Sequence, residues 1–201
     1  MRTALAALAA AGLIAMAGCT AAPQASPTPP STATAPDPAS SAGAAMLTQF
    51  GLQGLTAQQI VEKLDHDTAA RPLPLRASVR PDHLLIGDGT TEMIMPLTSE
   101  RPFYLSIAPY ENKTHDCHYH SLATCQGELV TTPVHVEITD ASGAVLVDED
   151  TTTSTNGFAG FWLPSGATGT VTVTADGKSG TAVFSSVAAT DATCLTTLRL
   201  R

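Results

Sequence analysis

The sequence from Val171 to Ser185, Val-Thr-Val-Thr-Ala-Asp-Gly-Lys-Ser-Gly-Thr-Ala-Val-Phe-Ser, contains the clearest hairpin signal in the chain. Val171 and Val173 alternate with threonines, which is the two-residue period of a strand with one buried face. Asp176-Gly177 is a dipeptide that favours a tight hairpin turn, because both of its residues tolerate a positive φ. Thr181 to Ser185 is predicted to be the returning strand. This stretch therefore predicts antiparallel β structure.

Similar short apolar stretches occur on both sides of the hairpin, at spacings typical of an antiparallel sandwich or sheet. Val134, Val136 and Ile138 alternate with polar residues up to a turn at 140–143. The other predicted strands are short and are separated by turn residues: 76–80, 83–86, 91–95, 103–107, 144–147, 158–163 and 195–200. The predicted fold class is mainly β (α+β). A sandwich-like antiparallel C-terminal domain over 101–201 follows a small helix-and-strand region over 46–100.

One helix is predicted in this N-terminal region, over 55–64. Thr56 is placed to cap it, and Gln59 follows three residues later, as a capping box requires. Ile60, Val61 and Leu64 then give one apolar face. The prolines at positions 72 and 74 prevent the helix from continuing through that segment.

The first 18 residues have the pattern of an export signal. Arg2 is followed by an apolar stretch over 4–15 and by Met16-Ala17-Gly18-Cys19, which resembles the lipobox of bacterial lipoproteins. We expect a signal peptide over 1–18 and lipidation of Cys19, the alternative being an ordinary secretory signal. Residues 19–45 are rich in Ala, Pro, Ser and Thr, which predicts a disordered tether. The expected location is extracytoplasmic, on the cell membrane through the lipid anchor.

Charge and cysteine number limit the possible partners. The formal net charge is -8, which argues against nucleic acid, because phosphate binding needs clustered Lys and Arg. Disulfides can persist outside the cytoplasm. Once Cys19 is set aside, three of the four cysteines remain, so at least one cannot be paired within the chain.

Two of these three cysteines lie in the stretch from Thr114 to Leu129, Thr-His-Asp-Cys-His-Tyr-His-Ser-Leu-Ala-Thr-Cys-Gln-Gly-Glu-Leu. It contains Cys117 and Cys125 together with His115, His118 and His120, and Cys194 lies far downstream next to a predicted strand. Three thiolates with a nearby imidazole suit Cu(I), which is a soft cation. The same cysteines with His120 would also make a tetrahedral zinc site, and spacing alone leaves both metals open.

A purely structural use of the cysteines is the main alternative. It is a disulfide between Cys117 and Cys125, with Cys194 as an inert buried thiol, in a membrane-anchored β domain. This alternative leaves the histidines around the cysteines unexplained. His115 is expected to be the weakest candidate ligand of the three. The histidines outside the stretch, His66, His83 and His135, are expected to be surface or capping residues.

The stretch also resembles one family closely. The pattern Thr-His-x-Cys-x-x-His-Ser-Leu-x-x-Cys-x-Gly-Glu-Leu over 114–129, preceded by Ser-Ile-Ala-Pro-Tyr at 106–110 and followed by Cys194, is similar to the CueP family of exported copper-binding proteins. The resemblance implies copper binding, with a preference for Cu(I), through Cys117, Cys125 and Cys194. It also implies periplasmic copper resistance, delivery of copper to a superoxide dismutase, and a link to Cu(II) reduction. The lipobox and tether depart from the soluble members of that family.

The sequence thus predicts a membrane-anchored copper-binding protein for copper tolerance or delivery to a client enzyme. The predicted metal ligands are Cys117, Cys125, Cys194, His120 and His118, and any Cu(II) reduction is expected to be stoichiometric rather than enzymatic. A thiol-based cupric reductase is a second hypothesis, although the chain has no Cys-x-x-Cys motif and no thioredoxin-like pattern. A zinc-binding protein is a third. No motif indicates a Ser/His/Asp hydrolase.

Overall fold

Two helices and ten strands are described over residues 40–201 in a computed structural model. The predicted signal peptide, Cys19 and the tether up to residue 39 lie outside the described residues. The elements, in chain order, are α1 (Ser41–Gln49), α2 (Ala57–Asp65), β1 (Arg76–Val79), β2 (His83–Gly87), β3 (Glu92–Pro96), β4 (Phe103–Ile107), β5 (Pro133–Asp140), β6 (Val145–Thr152), β7 (Ala159–Leu163), β8 (Thr168–Ala175), β9 (Lys178–Ser185) and β10 (Cys194–Leu195).

The first helix starts inside the segment that the sequence assigns to the tether. The Ser40 hydroxyl accepts a hydrogen bond from the backbone N–H of Gly43 and caps α1, which buries Met46 and Leu47. The start of α1 has no large apolar residue, so its composition gave no signal of a helix. Packing of its second half against the core stabilises it instead.

The second helix, predicted over 55–64, covers Ala57–Asp65 and has the predicted capping box. The Thr56 hydroxyl accepts from the Gln59 backbone N–H, and the Gln59 side chain accepts from the Thr56 N–H. Ile60, Val61 and Leu64 are buried as expected, and so is Asp65, the last residue of the helix.

The helices pack against a small antiparallel sheet of order β1-β2-β3. The core between them extends beyond the N-terminal region, since Tyr104, Leu122 and Ala123 belong to the same hydrophobic cluster. The described residues all lie in one compact unit.

The C-terminal part is a sandwich of two sheets with orders β6-β5-β8-β9 and β10-β4-β7. Their inner faces share a second hydrophobic cluster that includes Leu105, Val136 and Val173. The β8–β9 hairpin turns at Asp176 and Gly177, both with positive φ, as the sequence predicts. The prediction of a mainly β fold with antiparallel sheets is confirmed.

Strand β4 connects the two hydrophobic clusters, because all five of its residues are buried. Phe103, Leu105 and Ile107 face the sandwich core, whereas Tyr104 enters the core beneath the helices. The alternating residues of β4 predict a strand with two distinct faces, and in the structure each face packs against one of the two hydrophobic clusters.

The predicted last strand over 195–200 is wrong in its length. Only Cys194 and Leu195 form a strand, which pairs in parallel with Ser106 and Ile107 of β4. Ala108 N–H donates to the Leu195 carbonyl, but Tyr110 N–H donates to Leu198 instead of Thr197, so an extra residue on the β10 side interrupts the ladder. Pairing resumes only as an isolated bridge between Tyr110 and Arg199.

Over residues 40–201, none of the helices is both long enough and apolar enough to cross a membrane.

Candidate metal centre

The segment between β4 and β5 carries two of the cysteines and is attached to structure on both sides. On one side it meets β1, where Val79 N–H donates to the His120 carbonyl and Leu122 N–H donates to Ala77. On the other side, the N–H groups of Thr193 and Cys194 both donate to the carbonyl of His118. The segment is therefore held between β1 and the start of β10.

A close approach of two glycines fixes the end of this segment. Gly127 N–H donates to the Asn156 carbonyl at 2.6 Å. Gly157 has φ of +78°, and a Cβ on it would lie 2.6 Å from the Gly127 carbonyl oxygen. The contact places Cys125 next to the loop that precedes β7, which carries Asn156 and Phe158.

All three cysteines of the described residues meet here. Cys117 and Cys194 form a disulfide with a Cα–Cα distance of 5.6 Å, and Cys125 is a buried free thiol. The Cys125 Sγ lies 3.5 Å from the Cys117 Sγ. The alternative pairing of Cys117 with Cys125 is thus wrong, because β10 places Cys194 within bonding distance of Cys117. The prediction that the odd number leaves one thiol unpaired agrees with the structure.

The three histidines of the segment differ in position. His120 is fully buried, with Nδ1 3.8 Å from the Cys194 Sγ. His115 is half-buried, with its ring edge toward Phe158. His118 is exposed and its Nε2 donates to the Thr190 carbonyl at 2.9 Å.

Two sets of side chains bring their ligand atoms within 4.8 Å of one another. One set is His120, Cys125 and Cys194, all buried, and the other is His115, Cys117 and Cys125. Four of the five predicted metal ligands lie in these sets. His118 lies in neither, whereas His115, expected to be the weakest candidate, lies in one.

Sequence reasoning missed a buried carboxylate beside His120. Asp65 is 1% exposed, and its Oδ1 accepts from His120 Nε2 at 2.9 Å. Tyr104 donates to Oδ2 at 2.7 Å, and the Asn156 side chain donates to Oδ1 at 2.9 Å. A signal was present, since Asp65 extends the apolar face of α2 four residues after Val61. It also sits in the last turn, where the helix dipole disfavours an acid.

The pair of Asp65 and His120 is held in its charged form. Burial alone would raise the pKa of Asp65, but the His120 charge, with hydrogen bonds from His120, Tyr104 and Asn156, lowers it to about 2. Burial alone would lower the pKa of His120, but the charge of Asp65, its hydrogen bond and a smaller effect of Cys125 raise it to about 9. Burial, followed by the Asp65 charge, raises the pKa of Tyr104 well above its usual value.

This arrangement leaves the other ring nitrogen of His120 for a metal. Because Nε2–H is held by the carboxylate, Nδ1 faces the cysteine sulfurs, which is the usual orientation of a metal-binding histidine backed by a carboxylate. A cation bound there would replace the proton on Nδ1, while the hydrogen bond to Asp65 would remain.

Comparison with known proteins identifies the family. The family model described as periplasmic copper-binding protein CueP matches residues 59–199. The chain belongs to the CueP family. The crystal structure of S.CueP is similar to this structure with a TM-score of 0.77 and 41% sequence identity, covering 81% of this chain and 99% of that chain. A search of curated proteins found no match.

Family membership confirms the resemblance seen in the sequence and makes this chain a member of a periplasmic copper-binding family. The CueP match includes both ligand sets, Asp65 and its hydrogen-bond partners. Residues 1–58, which include the predicted export signal and Cys19, precede the matched range.

Proposed function

We propose that this protein holds Cu(I) outside the cytoplasm through the thiolates of Cys117, Cys125 and Cys194. One observation carries the proposal. The Sγ atoms of Cys117 and Cys125 are 3.5 Å apart, Cys125 and Cys194 belong to one set within 4.8 Å, and Cys117 and Cys194 are close enough to bond. Reduction of the disulfide would leave three thiolates facing one point, which suits a soft cation of low coordination number.

His120 gives this site a nitrogen donor next to the sulfurs. Its Nδ1 is 3.8 Å from the Cys194 Sγ, so it can stabilise bound copper or act as a further ligand. The same four donors are those of a tetrahedral zinc site, which makes zinc the competing metal.

The disulfide between Cys117 and Cys194 supports a stoichiometric reduction of Cu(II). Two thiolates would each lose one electron and form the S–S bond, and two Cu(II) ions would each gain one electron to become Cu(I). Cys125 would keep its thiol next to His120 and could retain one of the Cu(I) ions. We propose this as a single event rather than enzymatic turnover.

The proposed cellular role follows from the predicted export signal and from copper binding. We propose that the signal over 1–18 directs export and that lipidated Cys19 anchors the domain to the membrane. There it would bind copper for tolerance or deliver it to a client enzyme. The predicted tether would keep the site away from the lipid surface.

The test is anaerobic competition for Cu(I) between the reduced protein and a strong chelator, with zinc as a parallel titrant. We expect one tightly bound Cu(I), lost in the variants Cys117→Ser, Cys125→Ser and Cys194→Ser. His83→Gln, on β2 and outside both ligand sets, is the matched control. Unchanged affinity in Cys125→Ser would refute the assignment, and a preference for zinc would move the function to zinc handling.

A further inference from the structure

A second set of potential copper ligands lies on the solvent side of the buried one. His115, Cys117 and Cys125 have donor atoms within 4.8 Å of one another; His115 and Cys117 are partly exposed, and Cys125 is 9% exposed. We call His115, Cys117 and Cys125 the outer set, and His120, Cys125 and Cys194 the inner set. We propose that the outer set is the entry position for Cu(I), with His115 as its nitrogen ligand, from which the ion passes to the inner set.

The outer set faces a surface cavity. Its lining residues are His115, Asp116, Cys117, Thr124, Cys125 and Gln126. In the inner set, His120 is 0% exposed and Cys194 is 2% exposed, and neither lines the cavity. Among the described residues, this cavity brings solvent to Cys125, which belongs to both sets. Copper arriving from solvent would therefore meet the outer set first.

His115 has the features of a ligand that is not engaged in another interaction. Its Nε2 is buried and has no hydrogen-bond partner within residues 40–201. An unsatisfied buried nitrogen costs free energy that a bound cation would recover. The ring is oriented by an edge contact with Phe158, whose ring centroid is 6.1 Å away.

The two sets are adjacent enough for transfer without release to water. Cys125 is common to both sets, and the Cys117 Sγ lies 3.5 Å from the Cys125 Sγ. Phe158 contacts both imidazoles, with its ring centroid 4.6 Å from that of His120. An ion held by Cys125 could exchange His115 for His120 while remaining bound to a thiolate.

The two positions also differ in charge. The inner set has the Asp65 carboxylate behind His120, and that carboxylate is buried and hydrogen-bonded. In the described part of the chain, the carboxylate that lines the outer cavity is the exposed Asp116, which water screens. The inner position therefore favours retention of a cation, and the outer position favours access.

The outer set can be isolated by removing the inner one. This inference rests on the proposed function, so Cu(I) binding by the wild-type protein is measured first. In a Cys194→Ser variant, which retains the outer set, we expect one Cu(I) bound more weakly than in wild type, detectable with a weaker chelator. Adding His115→Gln to this variant should lower the affinity further by about tenfold or more, since even the outer partners of metal ligands typically contribute about 10–100-fold. Adding His83→Gln should change nothing.

A second measurement covers the case in which Cys194→Ser does not fold, which its thermal melt would show. His115→Gln alone, in otherwise wild-type protein, should slow loading from a Cu(I) donor in stopped-flow experiments relative to the wild type, because the entry position has lost its nitrogen ligand. Its equilibrium affinity should change little, because the inner set is intact. His83→Gln should load at the wild-type rate.

The outcomes separate the two claims. Wild-type loading kinetics in His115→Gln, or an unchanged affinity when His115→Gln is added to Cys194→Ser, would overturn the entry position and leave the three-cysteine site standing. Absence of Cu(I) binding by the wild-type protein would overturn the proposed function and the entry position together.

Discussion

Replacing Asp65 with Asn tests the buried ion pair between Asp65 and His120, which orients His120 toward the cysteine sulfurs. Asn has the same shape as Asp but no charge, and its amide cannot accept at both of its terminal atoms. Asp65 accepts from three side chains, those of His120, Tyr104 and Asn156, and is 1% exposed. The change therefore removes a buried charge and leaves at least one donor without an acceptor.

The expected loss of stability can be estimated in two ways. Breaking a buried ion pair by removing one partner typically costs about 3–5 kcal/mol. Independently, the pKa of His120 is raised from 6.5 to about 9. At about 1.4 kcal/mol per pKa unit, this corresponds to a stabilisation on the order of 3 kcal/mol. For a domain of this size, a loss of about 3–5 kcal/mol would lower the melting temperature by roughly 6–20 °C.

The assay is thermal and denaturant unfolding of the metal-free protein at pH 6. The matched control is Asp150→Asn, which removes the charge of a similar but exposed pair with His135 at 3.0 Å. Exposed pairs contribute little, so the control should melt with the wild type. Equal melting temperatures for Asp65→Asn and the wild type would refute the assignment of a charged, buried pair.

Three further predictions concern pH, the glycine contact and the histidine outside both sets. Since the folded-state pKa of His120 is raised to about 9, its stabilising effect should be complete below about pH 6.5 and lost as the pH rises through 9. The stabilising effect of Asp65, whose pKa is lowered to about 2, should be lost as the pH falls from about 4 through 2. Melting curves across both pH ranges check this, and the Asp65→Asn variant should show neither loss. Gly157→Ala should destabilise the protein more than Gly143→Ala, because both glycines have positive φ but only the first new Cβ would contact backbone, and equal melting temperatures would contradict that contact. His118→Gln should leave Cu(I) affinity unchanged in the competition assay, because its Nε2 is bonded to Thr190 outside both sets, and a large loss would restore the original ligand prediction.

Local signals predicted most of the fold. The Asp176-Gly177 turn and the capping box at Thr56 each act over a few residues, so both could be identified from the sequence. Helix α1 was missed because its stability comes from burying Met46 and Leu47 in a core made by distant residues. The length of β10 was overestimated because its pairing with β4 slips by one residue after Leu195, and this register depends on a strand that is distant in sequence.

The metal centre was predictable in its residue types but not in its arrangement. Residue chemistry alone grouped Cys117, Cys125 and Cys194. Their pairing depends on the parallel contact between β10 and β4, which no local pattern encodes. His120 and His118 are two residues apart and look equivalent in the sequence. Only the pairing of the segment with β1 and the start of β10 shows which one turns inward.

The most direct test of the central claim is X-ray absorption spectroscopy of the reduced protein loaded anaerobically with one equivalent of copper. The account predicts Cu(I) with a first shell of three sulfurs from Cys117, Cys125 and Cys194, with at most one additional nitrogen from His120. The sulfur number should fall by one in Cys125→Ser. A first shell dominated by nitrogen and oxygen, or a sulfur number that is the same in Cys125→Ser, would contradict it.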